Sequence, residues 1–187
     1  MAFLSELELN LIGFKHVGRN VNISDKAVFY NPANIIIEDH ARVDDFCILS
    51  AGKGGIEIGK YVHVGCYSSM IGAEAIILKD FSGISGRVSI YSSNDDYSGE
   101  FMAHPTIPES FRKVHSEQVV LEKHVIVGAM SIILPGVCIG EGSAIGAHSL
   151  VKADCIPFMI YCGIPAVPIK ERSRQLLNIE REFLKST

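Results

Sequence analysis

A branched aliphatic residue recurs every six positions along the second half of the chain. The longest uninterrupted series runs through Leu121, Val127, Ile133, Ile139, Ile145 and Val151. An α-helix would place apolar residues three and four positions apart, and a meander of hairpins would show turn signals every eight to twelve residues or so. A strict period of six with one interior residue per repeat is typical of a hexapeptide β-helix, whose stacked coils bury one column of side chains on each face.

The first half of the chain carries the same period with interruptions. Val17, Ile23 and Phe29 are six apart, the phase slips by two residues at 36–37, and a glycine-rich stretch at 51–55 resets it again. Three hexads make one triangular coil of roughly 18 residues. The pattern therefore predicts an all-β fold, a parallel β-helix of five or six coils over 15–156, within one domain that spans 1–187.

The repeat stops between Ile90 and Val119. A loop of this length inside a compact domain is usually functional or disordered. Its aromatic residues, paired acids and prolines differ from low-complexity sequence, so we expect the segment 92–118 to be an ordered functional excursion.

Both ends of the chain carry helix signals. At the N-terminus, Ser5 and Glu8 have the spacing of a capping box, and Gly13 can end a short capping helix within 1–14. In the C-terminal extension 157–187, apolar residues at helical spacing predict an amphipathic helix over 171–185.

Composition and charge exclude several classes of protein. The net charge of −4 comes without a basic patch, so we expect no nucleic-acid partner. No apolar run approaches the roughly 20 residues of a membrane span. The five cysteines form no CxxC pair, which favours reduced thiols and a cytoplasmic location over a disulfide framework.

Three motifs carry a resemblance to a known family: the repeats of 127–151, the segment 83–100, and the sequence CGIPAVPIK at 162–170. Together they resemble the bacterial hexapeptide-repeat acyltransferases, especially the sugar O-acetyltransferases of surface-polysaccharide pathways. The resemblance implies a left-handed β-helix and a homotrimer with active sites between subunits. It also implies acetyl-CoA as the acyl donor and a sugar or sugar nucleotide as the acceptor; we expect no metal.

Acyl transfer from a thioester needs a general base, and histidine is the usual one. Some relatives carry this histidine in a T-x-x-H-P pattern soon after a strand like VSIY, where this chain has 92–96 without a histidine. Two hypotheses name a base, and the third alternative is that neither of these histidines serves. Either His104, which precedes a proline, is the base, or His63 is the base and is oriented by Asp95 or Asp96 of a neighbouring subunit.

The donor site is expected along the late coils. The small residues Gly128, Ala129, Gly146 and Ala147 would give a pantetheine arm access to the backbone, although corners of hexapeptide coils favour small residues in any case. The adenosine end would then lie near Gly163, Pro165 and Ala166. Lys170 and Arg172 could pair with the CoA phosphates, or could be solvated in the first turn of the C-terminal helix.

The leading functional hypothesis is O-acetyl transfer to a sugar or sugar nucleotide, and N-acetyl transfer to an amino sugar is the nearest alternative. A zinc hydratase on the same fold would need three histidine ligands, and the chain has no H-x4-H motif. A non-catalytic scaffold would gain nothing from interrupting its coils with the long loop. The sequence therefore favours an acyltransferase.

Overall fold

The computed structural model describes residues 2–186, in which short parallel strands stack into a β-helix flanked by two helices, α1 (Glu6–Ile12) and α2 (Leu176–Ser186). Single turns of 3-10 helix lie at Pro32–Asn34 and Glu109–Phe111. In chain order the strands are β1 (His16–Val17), β2 (Asn22–Ile23), β3 (Val28–Tyr30), β4 (Ile35–Ile37), β5 (Arg42–Val43), β6 (Ile48–Ala51), β7 (Ile56–Ile58), β8 (His63–Val64), β9 (Ser69–Gly72), β10 (Ile76–Leu78), β11 (Gly83–Ile84), β12 (Ser89–Tyr91), β13 (Ser93–Asp95), β14 (Val114–Ser116), β15 (Val119–Leu121), β16 (Ile126–Val127), β17 (Ile132–Ile133), β18 (Cys138–Ile139), β19 (Ala144–Ile145), β20 (Leu150–Val151), β21 (Met159–Cys162) and β22 (Val167–Glu171).

Three sheets form the sides of the β-helix; each contains six parallel strands from successive coils, and sheet 2 also contains β21 and β22. Sheet 1 has the strand order β1-β4-β7-β10-β15-β18, sheet 2 the order β2-β5-β8-β11-β16-β19-β21-β22, and sheet 3 the order β20-β17-β12-β9-β6-β3. Only the last pair of sheet 2, β21 with β22, is antiparallel. The predicted parallel β-helix is confirmed, with about seven turns.

The interior is filled by the aliphatic residues that the six-residue period singled out. Ile23, Val43, Val64, Ile84 and Val127, for example, form one continuous column along sheet 2, and each is at most 1% exposed. The prediction of five or six coils was too low, because sheet 2 continues beyond residue 156 into β21.

The coils differ in length, which explains the slips in the sequence pattern: strand registers before the loop span 20 or 21 residues, and those after it span 18 or 16. In the first half His16 pairs with Ile36, so one coil takes 20 residues, whereas Val120 pairs with Cys138 in the second half, so one coil takes 18. The extra residues lie on the way into sheet 1, whose strand β4 buries both Ile35 and Ile37. Each slip therefore lengthens one corner without changing the inward-facing residues of the next strand.

Antiparallel backbone covers each end of sheet 2. At the first end the predicted capping box is confirmed: the Ser5 N–H donates to the Glu8 carboxylate at 2.8 Å, and Gly13 ends α1 in the left-handed conformation with φ 82°. Just before α1, Phe3 forms an antiparallel bridge with Ser24. At the other end, β22 lies antiparallel on β21.

The C-terminal helix begins at Leu176, later than the predicted 171. The residues before it are extended in β22, so Lys170 lies opposite Ile160 in a strand and not in a first helical turn. Prolines at 165 and 168 disfavour a helix over this stretch, whereas an edge strand tolerates them.

The long loop leaves the β-helix after Tyr91 and returns at Val119. Its base is an antiparallel ribbon in which Asn94 of β13 lies opposite His115 of β14. In residues 2–186, neither helix combines the length and the apolar character that a membrane crossing would require.

Candidate functional site

A cavity of about 590 Å³ lies on the outer face of sheet 2, between the strands and the C-terminal segment. Asp44, His63 and Gly83 line its floor, and Ser85 and Gly86 line one side, at the corner between sheets 2 and 3. The opposite side is formed by a column of aromatic side chains, and by Arg172 and Leu176. The cavity therefore joins strands, a corner and the helix start in one place.

A hydrogen bond of 2.8 Å joins Nε2 of His63 to Oδ2 of Asp44. Because a carboxylate only accepts, this contact places a proton on Nε2 and leaves the lone pair of a neutral ring on Nδ1. The His63 side chain is 54% exposed, whereas that of Asp44 is 11% exposed. The pair thus presents a fixed imidazole whose partner is shielded from water.

Two side chains donate hydrogen bonds to the Asp44 carboxylate. Its Oδ1 accepts from Nε of Arg42 at 2.7 Å, while Oδ2 faces His63. Burial raises the pKa of the Asp44 carboxyl, but hydrogen bonds from Arg42 and His63 outweigh that effect, and the pKa lies below its usual value of 3.8. Asp44 is therefore ionised across the physiological range.

Sequence reasoning missed Asp44 as the partner of His63. The two residues are 19 positions apart and lie on adjacent coils, where Val43 pairs with Val64 and Arg42 with His63. The signal was present in the spacing of the coils: aligning Val43 with Val64 in one aliphatic column, 21 residues apart, would have placed residues 42 and 44 beside 63.

The aromatic wall is a ladder of stacked rings at the corner between sheets 1 and 2. The rings of His40 and Tyr61 lie 4.6 Å apart, those of Tyr61 and Phe81 5.0 Å, and those of Phe81 and His124 5.3 Å, all nearly parallel. Each residue has a positive φ, because the corner requires the left-handed conformation at this position of every coil.

Helix α2 is fastened against this ladder. Phe183 packs edge-on against Tyr61 and Phe81. Glu180 pairs with Lys123, and it also accepts from Nε2 of His124 at 2.7 Å. Burial raises the pKa of Glu180, but hydrogen bonds from Lys123 and His124 outweigh it and keep the pKa below 4.5.

Arg172 has a structural role in this chain. Its Nη1 donates to the carbonyl oxygens of His124, Gly142 and Ser143 at 2.9, 2.9 and 3.2 Å, and burial lowers its pKa. These contacts tie the start of the C-terminal segment to two coils. Lys170, in contrast, is exposed. Of the two residues predicted to bind the CoA phosphates, Lys170 is therefore the one that a ligand could reach.

The predicted donor residues form one column with the side of the cavity. Ser85 and Gly86 occupy the corner between sheets 2 and 3. The corners of the next two coils hold Gly128 with Ala129 and Gly146 with Ala147, connected by the hydrogen bond from His148 N to Ala129 O at 2.9 Å. A Cβ on Gly128 would lie closer than 3 Å to Ala147 and to Gly146, so close packing of coils requires this glycine.

The column of small residues ends at the corner that follows β21. Gly163 donates its N–H to Oγ of Ser149 at 3.1 Å, a cis peptide bond precedes Pro165, and Ala166 N donates to Leu150 O at 2.8 Å. The predicted adenosine residues thus continue the line that begins at the cavity, and the structure brings the predicted donor residues together along one corner.

The loop residues lie elsewhere. The Asp95 carboxylate accepts from the backbone N–H of His104 at 3.1 Å, and Nδ1 of that histidine lies 3.8 Å away. The Asp96 carboxylate accepts from Ser98, Gly99 and Phe101, which is a local turn, and these bonds lower its pKa. Within one chain, neither aspartate contacts His63.

Asp95 lines a second cavity of about 690 Å³, together with Tyr97 of the loop and the outward-facing Ile132 and Leu150 of sheet 3. The two candidate regions therefore occupy different faces of one chain. Within the described residues 2–186, no three His, Cys, Asp or Glu side chains are grouped so as to hold a metal ion.

Comparison with known proteins places this geometry in context. No family model matches the chain. It is 52% identical over 183 residues to the dTDP-4-amino-4,6-dideoxy-D-glucose acyltransferase of Escherichia coli, covering 98% of this chain and 95% of the relative. It is 30% identical over 139 residues to a protein of E. coli K12 named as a lipopolysaccharide biosynthesis O-acetyl transferase, covering 72% and 67%.

A solved structure shares the whole fold. AntD, an N-acyltransferase from Bacillus cereus, in a variant form complexed with dTDP and coenzyme A, superposes with a TM-score of 0.96 at 47% identity, over 100% of both chains. Another variant of AntD, bound to dTDP-4-amino-4,6-dideoxyglucose and coenzyme A, gives a TM-score of 0.96 at 46% identity. With full-length similarity in sequence and in fold, the chain belongs to the family of hexapeptide-repeat acyltransferases.

Proposed function

We propose that this protein transfers an acyl group from an acyl-CoA to the amino group of a dTDP-linked 4-amino-4,6-dideoxy hexose. The observation that carries the proposal is the 52% identity to the E. coli enzyme of that name over nearly the full length of both chains. The B. cereus N-acyltransferase, bound to the same amino sugar nucleotide, adds independent support at 46% identity.

The corner between sheets 2 and 3 supports an extended CoA donor. Small residues run from Ser85 and Gly86 at the cavity through Gly128 and Gly146 to Gly163, so a pantetheine arm could follow the backbone and deliver its thioester at His63. Lys170 would meet the phosphates beyond that end. AntD has been solved with 3-hydroxybutyryl-CoA, so the acyl group here includes acetyl and its short hydroxylated homologues as candidates.

In this proposal His63 is the general base. The neutral amine attacks the thioester carbonyl, a C–N bond forms, and the C–S bond breaks. The proton lost by the amine passes to Nδ1 of His63 and then to the departing CoA sulfur, which leaves as a thiol. Asp44 holds Nε2 protonated throughout, as a carboxylate does for a histidine base.

A second argument concerns which subunits contribute to the site. AntD structures include variants of a serine and, separately, of an aspartate ten positions further along. In this chain Ser85 and Asp95 are the only serine and aspartate with that spacing. They line separate cavities of one subunit. A homotrimer in which the loop of one subunit reaches the sheet 2 cavity of its neighbour would bring them together.

O-acetyl transfer to a hydroxyl remains the second candidate, supported by the 30% identity to the O-acetyl transferase of E. coli K12. N-acyl transfer has the stronger support because its relatives match at 46–52% over nearly whole chains. The five free thiols fit a reducing cytoplasm, where we place the reaction.

The deciding experiment measures release of the CoA thiol with acetyl-CoA and 3-hydroxybutyryl-CoA as donors. We expect turnover with dTDP-4-amino-4,6-dideoxyglucose and at least about a hundredfold lower kcat/KM with the matching dTDP-6-deoxyglucose, whose C4 hydroxyl is the poorer nucleophile and cannot make the same hydrogen bonds. Equal rates with the hydroxyl sugar would favour O-acyl transfer, and no thiol release with either acceptor would refute the proposal.

A further inference from the structure

All 17 glycines lie within the described residues 2–186, and among them Gly83 alone is required neither by the backbone nor by the packing. At each of the others, either φ is positive or an added Cβ would lie within 3.4 Å of a neighbouring atom. At Gly83 φ is not positive, and the nearest atoms to an added Cβ are the His63 carbonyl oxygen at 3.5 Å and the His63 Cβ at 4.0 Å, which are ordinary contacts. The protein itself would accept a side chain here.

A glycine without such a requirement is a disadvantage in a strand. It has no side chain to pack and loses more backbone freedom on folding than any other residue, so alanine would be the better strand former. Glycine inside a strand often marks a place where a ligand approaches the backbone closely. The reason for Gly83 therefore lies outside the chain's own packing.

The position of Gly83 indicates what approaches. On the outer face of sheet 2 it lies in register between His63 and Ile126, and all three line the cavity. Ile126 is 47% exposed and points into the same space, so the bare backbone of Gly83 forms a notch between an imidazole and an aliphatic side chain. Any side chain at position 83 would fill this notch.

We propose that Gly83 is a specificity-determining residue, whose missing side chain leaves room for the hexose ring of the acceptor against sheet 2. The inference rests on the proposed function. The acceptor nitrogen must come within hydrogen-bond reach of His63, so the sugar carbon that carries it lies over the neighbouring strand. The donor arrives from the corner at Ser85 and Gly86, which leaves the notch to the acceptor.

The test adds one methyl group and then an isopropyl group, in the variants Gly83→Ala and Gly83→Val. We expect the KM for the dTDP amino sugar to rise about tenfold with alanine and further with valine, since a misplaced methyl group in a substrate pocket costs tenfold or more. The KM for acetyl-CoA should stay within about twofold, because the donor contacts the corner. The melting temperature of Gly83→Ala should not fall.

Val120→Ile is the matched control, because it adds one methylene to an outward-facing position of sheet 1, away from the cavity, and its kinetics should equal those of the wild type. Wild-type kinetics in Gly83→Ala would overturn the inference. So would a KM for acyl-CoA that rises with acyl length while the KM for the acceptor stays constant, since the notch would then hold the acyl chain. A wild-type enzyme with no activity on the amino sugar would instead refute the proposed function.

Discussion

Asp44 determines which nitrogen of His63 faces the cavity. Without a fixed partner a neutral imidazole exchanges between two tautomers. In the proposed mechanism, only one of them presents a lone pair to the amine of a sugar substrate bound on sheet 2. The 2.8 Å contact with Oδ2 selects that tautomer, and Arg42 keeps the carboxylate from turning away. Of the two candidate bases, we therefore favour His63 over His104, whose side chain is 78% exposed.

Substitution of His63 by alanine should therefore lower kcat by about a hundredfold to ten-thousandfold, the usual contribution of a positioned base, with a smaller change in KM. Asp44→Asn should lower kcat by about tenfold or more, because an amide can donate to Nε2 and favour the wrong tautomer. Steady-state kinetics of thiol release measure both effects.

His104→Ala is the control for these variants, since it removes the second candidate base from the exposed loop. Its kcat should stay near that of the wild type. If His104→Ala abolishes turnover and His63→Ala does not, the base has been assigned to the wrong histidine.

The C-terminal helix owes its position to a few contacts with the coils. Its side chains have no place in the interior, since none of Leu176–Ser186 is buried. Glu180, with 10% of its side chain exposed, and Phe183 against the ring ladder carry much of the attachment. Because Leu176 lines the cavity, loosening α2 should also disturb the site.

Glu180→Gln should destabilise the docked helix by about 1–3 kcal/mol, the cost of losing charged hydrogen bonds at a shielded site. The lowered pKa of Glu180 means that its stabilisation is complete above 4.5 and is lost as the pH falls through the lowered value. The melting temperatures of the wild type and of Glu180→Gln should thus differ at pH 7 and converge in acid.

Glu182→Gln, an exposed position of the same helix, should melt like the wild type at both pH values. Cleavage at Arg181 and Lys185 by trypsin offers a second readout, which Glu180→Gln should accelerate. A melting difference that persists unchanged into acid would show that Glu180 acts through its shape and not through its charge.

The sequence predicted whatever depends on local spacing. The inward-facing columns, the capping box at Ser5 and the interruption of the coils after Ile90 follow from patterns a few residues long. The partner of His63 and the covering of His124 by α2 depend on the register between distant coils. Arg172 illustrates the same limit: sequence shows a cation next to a helix, and only the fold shows three carbonyl oxygens around it.

Whether Ser85 and His63 meet Asp95 depends on the homotrimer that we propose. One chain keeps them on different faces, with the loop cavity against sheet 3. In a cyclic assembly, one face of each subunit contacts a different face of its neighbour. A shared site would therefore combine the sheet 2 cavity of one subunit with the loop cavity of the next.

Co-expression of His63→Ala and Asp95→Ala subunits tests this arrangement. If both single variants are inactive and the site is shared, random mixing should restore about a quarter of the sites, because each site takes its histidine and its aspartate from different subunits. Light scattering should show a particle of three chains of 20.4 kDa each. Mixed particles without activity would mean that both residues serve the same subunit's site.

The antiparallel segments at the two ends of sheet 2 bear on how the molecule behaves when crowded. A stack of parallel coils is an open-ended template, and a second molecule could in principle extend it strand by strand. Phe3 opposite Ser24 at one end and β22 at the other reverse the chain direction there. A coil of another copy then cannot continue the parallel ladder of the sheet that carries the site, so we expect these two segments to disfavour end-to-end fibre growth.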